Sequence, residues 1–471
     1  MTWQATAYVA MIAGALGALL LVLAWGRTSG GPPAVVPPGA SGAQAAAVSV
    51  PDTLLHVLLA LAAVLVAGQL LGRLFAAMRQ PPVIGEVLAG VLLGPSVLGR
   101  LVPGLSARIL PPEVAPALGL VAQLGVVLYM FLVGLEFDFE RVRTRARATI
   151  AIAHASIATP FVLGAALALP LAPILSPTDV SFTGFALFLG VAMSITAFPV
   201  LARILADRGM HRTDLGQLAL ASAAVADVTA WCILAVVIGV VQAKVSSAAL
   251  TLMLTLLFVA VMWTVARPLI ARWANTTAAS VTRETMGLVL GLLLASAVAT
   301  DAIGVHAIFG AFLFGVIVPS ESPLARALAV RFEDLVTVLL LPAFFALTGL
   351  RVQIGLVSGV AQWTMVLVIV LVATAGKAGG TVIAARLAGM AWRPAASLGI
   401  LMNTRGLMEL IVLNIGLDLR IISPTLFTMM VLMALATTVM TSPLLDLLGA
   451  RIPARPELQS TRASGALEQR D

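Results

Sequence analysis

The chain has 471 residues, 60% hydrophobic and only 10% charged, with a formal net charge of +7 and a mean hydropathy of +1.07. Soluble domains carry roughly 25% charge because their surface must be wetted, so this chain must face hydrocarbon over much of its surface. The basic residues lie in short clusters between apolar runs, which argues for membrane-flanking loops and against nucleic acid as a partner, and the single cysteine, Cys232, excludes an intramolecular disulfide or a cysteine-held metal.

In chain order, apolar segments long enough to cross about 30 Å fall at 8–25, 54–72, 82–98, 118–135, 148–170, 182–205, 214–240, 249–267, 284–299, 303–318, 334–350, 361–386, 395–417 and 425–446. The long Leu/Ala/Val/Gly runs lack strand alternation, so the expected class is an all-α polytopic membrane protein and not a β-barrel. Residues 1–53 read as an extra N-terminal helix, either retained or signal-like, followed by a Gly/Pro/Ala-rich linker over 26–53. Residues 54–450 form the main transmembrane unit of thirteen spans. The polar tail, 451–471, reads as a short cytoplasmic segment with no room for a regulatory domain.

Loop charge tests this map. A cytoplasmic N-terminus puts the Arg141–Arg147 cluster and most other arginines inside, and only Arg27, Arg100, Arg108, Lys244, Arg351 and Arg420 outside. That asymmetry follows the positive-inside rule, whose parity a missed span would scramble. Both termini are therefore expected in the cytoplasm of a cell with this protein in its inner membrane.

Charge near mid-span is the informative feature, since burying it costs about 2.5–3.5 kcal/mol on the mildest scale. Span 214–240 carries Asp227, and span 361–386 carries Lys377. A structural Asp227–Lys377 pair is one reading, and an ion site the other. Two further spans are interrupted. In 182–205, Ser194, Thr196 and Pro199 lie near mid-depth, and proline leaves backbone groups to be satisfied elsewhere. In 395–417, Asn403, Thr404, Arg405 and Gly406 break an apolar run, and Glu409 follows Arg405 at ion-pair spacing. Interrupted spans in corresponding positions, entering the membrane in opposite directions, point to an inverted repeat pairing the third to seventh spans with the tenth to fourteenth.

A lone intramembrane carboxylate holds either a proton or a small cation, and that competition suffices for antiport if only the loaded carrier reorients. Ser194, Thr196 and Ser222 supply hydroxyls for a dehydrated Na⁺ or K⁺. Arg405 makes an anion site conceivable, with Glu409 placed to neutralise it. GEVLAGVLLG lacks the lysine and hydroxyl of a phosphate loop, so no nucleotide cofactor is expected. Near the span ends, Glu86 reads as a helix-start or loop partner, Asp301 as a helix cap or an external cation attractor, and His306 as a satisfied interior group or a pH-sensitive one. A channel-like or non-transporting protein of the same architecture is the alternative reading.

Seven motifs then carry a resemblance: PPVIGEVLAGVLLGPSVLG at 81–99, LYMFLVGLEFD at 128–138, SITAFPVLARIL at 194–205, ALASAAVADVTAW at 219–231, TDAIGVHAIFGAFLFGVIVP at 300–319, LLPAFFALTGLR at 340–351 and LMNTRGLMELIVLNIG at 401–416. Together they resemble the monovalent cation:proton antiporter-2 family of the sodium/proton exchanger superfamily, most of all the plant and yeast cation/H⁺ exchangers and their bacterial relatives. The resemblance implies the inverted-repeat antiporter fold, with two discontinuous crossed helices at 182–205 and 395–417 moving against a dimerisation domain, and a homodimer embedded in lipid. It implies that Asp227 carries the ion and proton, that Lys377 is the family's basic residue of the later core helix, and that Thr196 shapes the crossing. Relatives have Asn-Asp or Asp-Asp where this chain has Ala226-Asp227. That departure implies one-for-one, electroneutral exchange and leaves Lys377 without its usual partner, while the likeness to those exchangers implies K⁺, or else Na⁺, as the cation exchanged for H⁺.

Overall fold

The computed structural model describes residues 50–78, 80–111, 114–136, 146–210, 213–242, 248–276 and 282–449. The span at 8–25, most of the linker, Arg27, Arg141, Arg143, Arg145, Lys244 and the tail 451–471 lie outside the described residues, and so do both termini.

The described residues are helical throughout their long segments, as hydrocarbon requires of any backbone that must satisfy its own N–H and C=O groups. The α-helices of eight or more residues are α1 (Val50–Ala77), α2 (Pro82–Leu93), α3 (Ala115–Glu136), α4 (Ala146–Leu175), α5 (Phe182–Ser194), α6 (Phe198–Asp207), α7 (Asp214–Gln242), α8 (Ala248–Val261), α9 (Arg267–Thr276), α10 (Arg283–Ile303), α11 (Ala307–Ile317), α12 (Pro323–Leu335), α13 (Leu341–Arg351), α14 (Gly359–Thr374), α15 (Gly380–Leu387), α16 (Trp392–Met402), α17 (Leu407–Asp418) and α18 (Pro424–Leu447). Single π-turns join α8 to α9, α12 to α13 and α14 to α15. Ten of the resulting rods are long and apolar enough to span a bilayer, while α5 and α11 are shorter apolar helices. Leucines on α1 and α8 such as Leu58, Leu70 and Leu256 are more than half exposed, which is tolerable only where the solvent is lipid.

Several boundaries differ from the hydropathy reading. α1 begins inside the expected linker. The segment expected at 303–318 is divided, because Gly304 turns the chain with φ 92° and lets α10 absorb Thr300–Ile303. The span read at 334–350 is the end of a rod that starts at Pro323, whose polar first turns hid its length. Nor is proline the reliable breaker. α4 stays helical through Pro160, Pro170 and Pro173, and Pro199 is the second residue of α6, where its missing N–H leaves no bond unmade.

The two halves of the chain interlock. α3 packs on α11, and α2 packs on α13. A Cβ at Gly134 would stand 2.3 Å from the Phe312 carbonyl oxygen, and one at Gly349 would stand 2.1 Å from that of Val87. Only glycine permits such backbone approach between membrane helices. Gly134 lies in Leu132-Val133-Gly134-Leu135, and Gly349 in Leu347-Thr348-Gly349-Leu350. The same small motif thus makes the same contact in each half, against a helix of the other half.

Candidate ion-binding site

The site is built on two interruptions. α5 ends at Ser194, and Ile195 is extended with φ −69° and ψ 138°; α6 resumes at Phe198. α16 ends at Met402, and α17 resumes at Leu407. The Ala197 amide donates to the Thr404 carbonyl at 3.1 Å, so the unwound segments touch and each satisfies part of the other's backbone.

Every interruption leaves helix-end groups unpaired. At the end of α5 the exposed carbonyls are taken by two cations. Arg405 donates from Nη1 to Ala192 at 3.3 Å and from Nη2 to Met193 at 2.7 Å, while Lys377 Nζ donates to the Ser194 carbonyl. Positive charge is favourable here because the helix dipole is negative at its C-terminus. Lys377 sits at the centre of the π-turn Ala375–Gly379, an irregularity of the kind that recurs at functional sites. Arg405 also pairs with Glu409 at 3.0 Å, both side chains being fully buried. The expected Arg405–Glu409 pair is therefore formed, and the guanidinium is engaged on α5 and not open to an anion.

The structural Asp227–Lys377 pair does not form. No ion pair within 4.0 Å joins these residues among the described ones, because the α5 carbonyl end competes for the ammonium. Asp227 is 5% exposed, and both its oxygens lack a hydrogen-bond partner among the described residues. The Phe198 amide at the start of α6 and the Lys377 ammonium act on its charge. Thr196 Oγ1, Ser222 Oγ and Asn403 Oδ1 are likewise buried and unpartnered. Such atoms each cost about 1–3 kcal/mol when left unsatisfied, and here they come from the first interruption, from α7 and from the second interruption. Ala226 belongs to one apolar cluster with Ala197, Ala223, Leu401 and Met402, and α7 packs on α5, α6 and α16, the helices that flank the two interruptions. Hard oxygen donors suit an alkali cation. Among the described residues no trio of His, Cys, Asp and Glu side chains is placed to hold a metal ion.

Other candidates are placed differently. The Ser194 hydroxyl is committed to the Gly190 carbonyl at 2.7 Å, with that of Ile157 at 3.0 Å, and so ties α5 to α4. Thr404 Oγ1 lies 3.5 Å from Thr441 Oγ1. Asp301 caps no helix start; it is exposed in the last turn of α10. His306 caps α11, its Nδ1 accepting from the Ile308 amide at 3.5 Å. Glu86 lies inside α2, with its Cγ against Gly68 and Gly72.

Residues the sequence reading passed over also take part. Thr438 on α18 accepts from the Arg405 amide at 3.2 Å and reaches its carbonyl at 2.6 Å, holding the unwound peptide. Its signal was the cluster Thr437, Thr438, Thr441 and Ser442 in the second half of α18. A cavity of about 830 Å³ opens between α3, α10, α13 and α17, lined by Asp301, His306, Arg351, Asn414 and Asp418. A second void of about 10 Å³, lined by Trp231 and Phe309, shares Val305, His306, Ile308 and Ile415 with this cavity and meets α7 one turn past Asp227. Toward α2, Val83, Ile84 and Val87 close against Gly406 and Thr438 around a void of similar size.

Crossed interruptions near mid-membrane are the architecture on which secondary transporters build their ion sites. The family model described as "Sodium/hydrogen exchanger, transmembrane" matches residues 52–447. The chain is 42% identical over 399 residues to the Na⁺/H⁺ antiporter NhaS4 of Synechocystis sp., covering 83% of this chain and 97% of that one. It is 38% identical over 397 residues to Cation/H⁺ antiporter 19 of Arabidopsis thaliana (83% and 49%), and 35% identical over 385 residues to K⁺/H⁺ antiporter 1 of Saccharomyces cerevisiae (79% and 44%). The chain thus spans about half the length of these plant and yeast relatives. The solved structure of the sodium proton antiporter MjNhaP1 from Methanocaldococcus jannaschii at pH 8 shares the fold, with a TM-score of 0.59 at 12% identity over 85% of this chain and 99% of that one. The chain belongs to the transmembrane sodium/hydrogen exchanger family, whose members are secondary active cation/proton antiporters.

Proposed function

We propose that this chain exchanges a monovalent alkali cation, K⁺ or Na⁺, for H⁺ by competition at Asp227 as the site is exposed to each side in turn. The observation that carries this reading is the buried Asp227 carboxylate with both oxygens unpartnered, beside two crossed interruptions. Thr196, Ser222 and Asn403 complete the cation's oxygen shell, while Lys377, Arg405 and Glu409 hold the helix ends that frame it. Thr404 joins the interruptions through its carbonyl. Because Ala226 supplies no second carboxylate, one cation replaces one proton and the exchange is electroneutral. A homodimer is the working unit in this reading.

The test is proton flux in liposomes carrying the purified protein, driven by an imposed K⁺ or Na⁺ gradient, with and without a voltage clamp. Asp227→Asn should abolish the flux, and clamping the voltage should leave the wild-type rate unchanged. Undiminished exchange in D227N would remove Asp227 from the mechanism.

A further inference from the structure

The large cavity is bounded on one side by a polar bridge that the site itself does not use. At the end of α13, Arg351 Nη1 donates to Asn414 Oδ1 at 2.9 Å and to Asp418 Oδ1 at 2.8 Å, both on α17. One turn deeper, Asn414 Nδ2 donates to Thr348 Oγ1 of α13 at 2.8 Å. Asn414 and Thr348 are 5% and 0% exposed. The inner rung is therefore desolvated and specific in geometry, unlike a surface ion pair.

These rungs lie where α13 and α17 pack on each other, between helices whose other anchors differ. α13 is fixed to α2 by the backbone approach at Gly349, whereas α17 grows directly from the second interruption and packs on α18 and α5. Any displacement of the crossed pair carries α17 with it. A shift by as little as one side-chain length relative to α13 breaks both rungs, because packed helices move between discrete arrangements.

We propose that Arg351 and Asn414 are positioning residues, a latch that holds α17 to α13 in the state whose cavity is open on the side of Asp301 and Asp418. This rests on the alternating exposure proposed above. Releasing the latch removes contacts made in that state alone, and so shifts the population toward the opposite one.

The experiment uses full-length protein in liposomes, with Cys232→Ser and a reporter Ala297→Cys on the cavity wall. An impermeant maleimide is applied from the cavity side, which the loop charges make the outer one. Arg351→Gln should slow labelling between about three- and tenfold, and should raise KM for the cation on that side with kcat less affected. The exchanged pair R351D/D418R should restore labelling to within about twofold, and a merely structural role would not raise KM on one side alone. Unchanged labelling in R351Q overturns the latch, and so does slowed labelling that the exchanged pair fails to restore. Repeating the labelling in D227N separates the two proposals. A latch still slows labelling after R351Q when exchange is dead, whereas D227N protein that exchanges normally defeats the ion-site reading alone.

Discussion

The guanidinium of Arg405 donates to the carbonyl of Met193 at 2.7 Å, across the point where two unwound segments cross. One side chain of the second interruption thereby closes the end of the helix that leads into the first. With Lys377 on the Ser194 carbonyl, the negative end of α5 is neutralised by residues of two other helices. The frame around Asp227 is held by helix-end electrostatics, which leaves both carboxylate oxygens without a hydrogen-bond partner among the described residues.

Arg405→Ala should be the most destabilising change in this frame. It exposes the Ala192 and Met193 carbonyls and strands Glu409 as a buried, unpaired charge, a loss of about 3–5 kcal/mol. Glu409→Gln keeps an acceptor and should cost about 1–2 kcal/mol. Thermal unfolding in detergent checks the order; equal midpoints for the two variants would contradict the capping role.

Lys377→Met replaces the ammonium by an apolar chain of similar length. It should lower stability by about 1–3 kcal/mol through the orphaned Ser194 carbonyl, yet retain exchange at a reduced rate, because Lys377 is not paired with Asp227. Complete loss of exchange with an unchanged melting temperature would show instead that Lys377 acts on the ion.

Ala226→Asn places an amide beside Asp227. Ala226 is 1% exposed and shares an apolar cluster with Ala197 and Ala223, so the larger side chain should cost about 1–3 kcal/mol. Where folded protein is recovered, the ratio of K⁺-driven to Na⁺-driven proton flux should change. An identical ratio and identical pH response would place residue 226 outside the shell.

Thr438→Val preserves shape while removing the hydroxyl that serves both the amide and the carbonyl of Arg405. A loss of about 1–3 kcal/mol is expected, with kcat reduced more than KM, since the substitution loosens the crossing without touching the cation. Thr438→Ser should recover most of the rate.

Gly134→Val should prevent the α3–α11 approach, its Cβ meeting the Phe312 carbonyl at 2.3 Å, whereas a Cβ at Gly119 on the same helix meets nothing within 4 Å. Yield of folded protein should collapse for G134V and stay near wild type for Gly119→Val. Similar yields would mean that the interlocking of the halves tolerates separation.

How far the site was legible depended on whether a residue's cost is local. Asp227 and Lys377 stood out because a charge in a span is expensive wherever its helix lies, and the Arg405–Glu409 pair followed from i, i+4 spacing on one segment. The partner of Lys377 was left open, since nothing on its own helix announces that the end of α5 lies against it. Proline was a poor guide for the same reason. α4 keeps three prolines within one helix, while the interruption at 195–197 precedes Pro199. The match between Leu132–Leu135 and Leu347–Leu350 gained meaning only once both glycines were found at equivalent crossings.

The sequence by itself determined that this is a helical membrane protein, roughly where it crosses and which spans carry polar groups. Transfer into hydrocarbon is a property of each segment, summed along the chain. Tertiary structure alone decided which carbonyls the buried cations cap, which oxygens remain unpartnered and which helix of one half closes on the other. Those outcomes depend on hydrogen bonds and backbone approaches between residues some two hundred positions apart, and no local pattern records them.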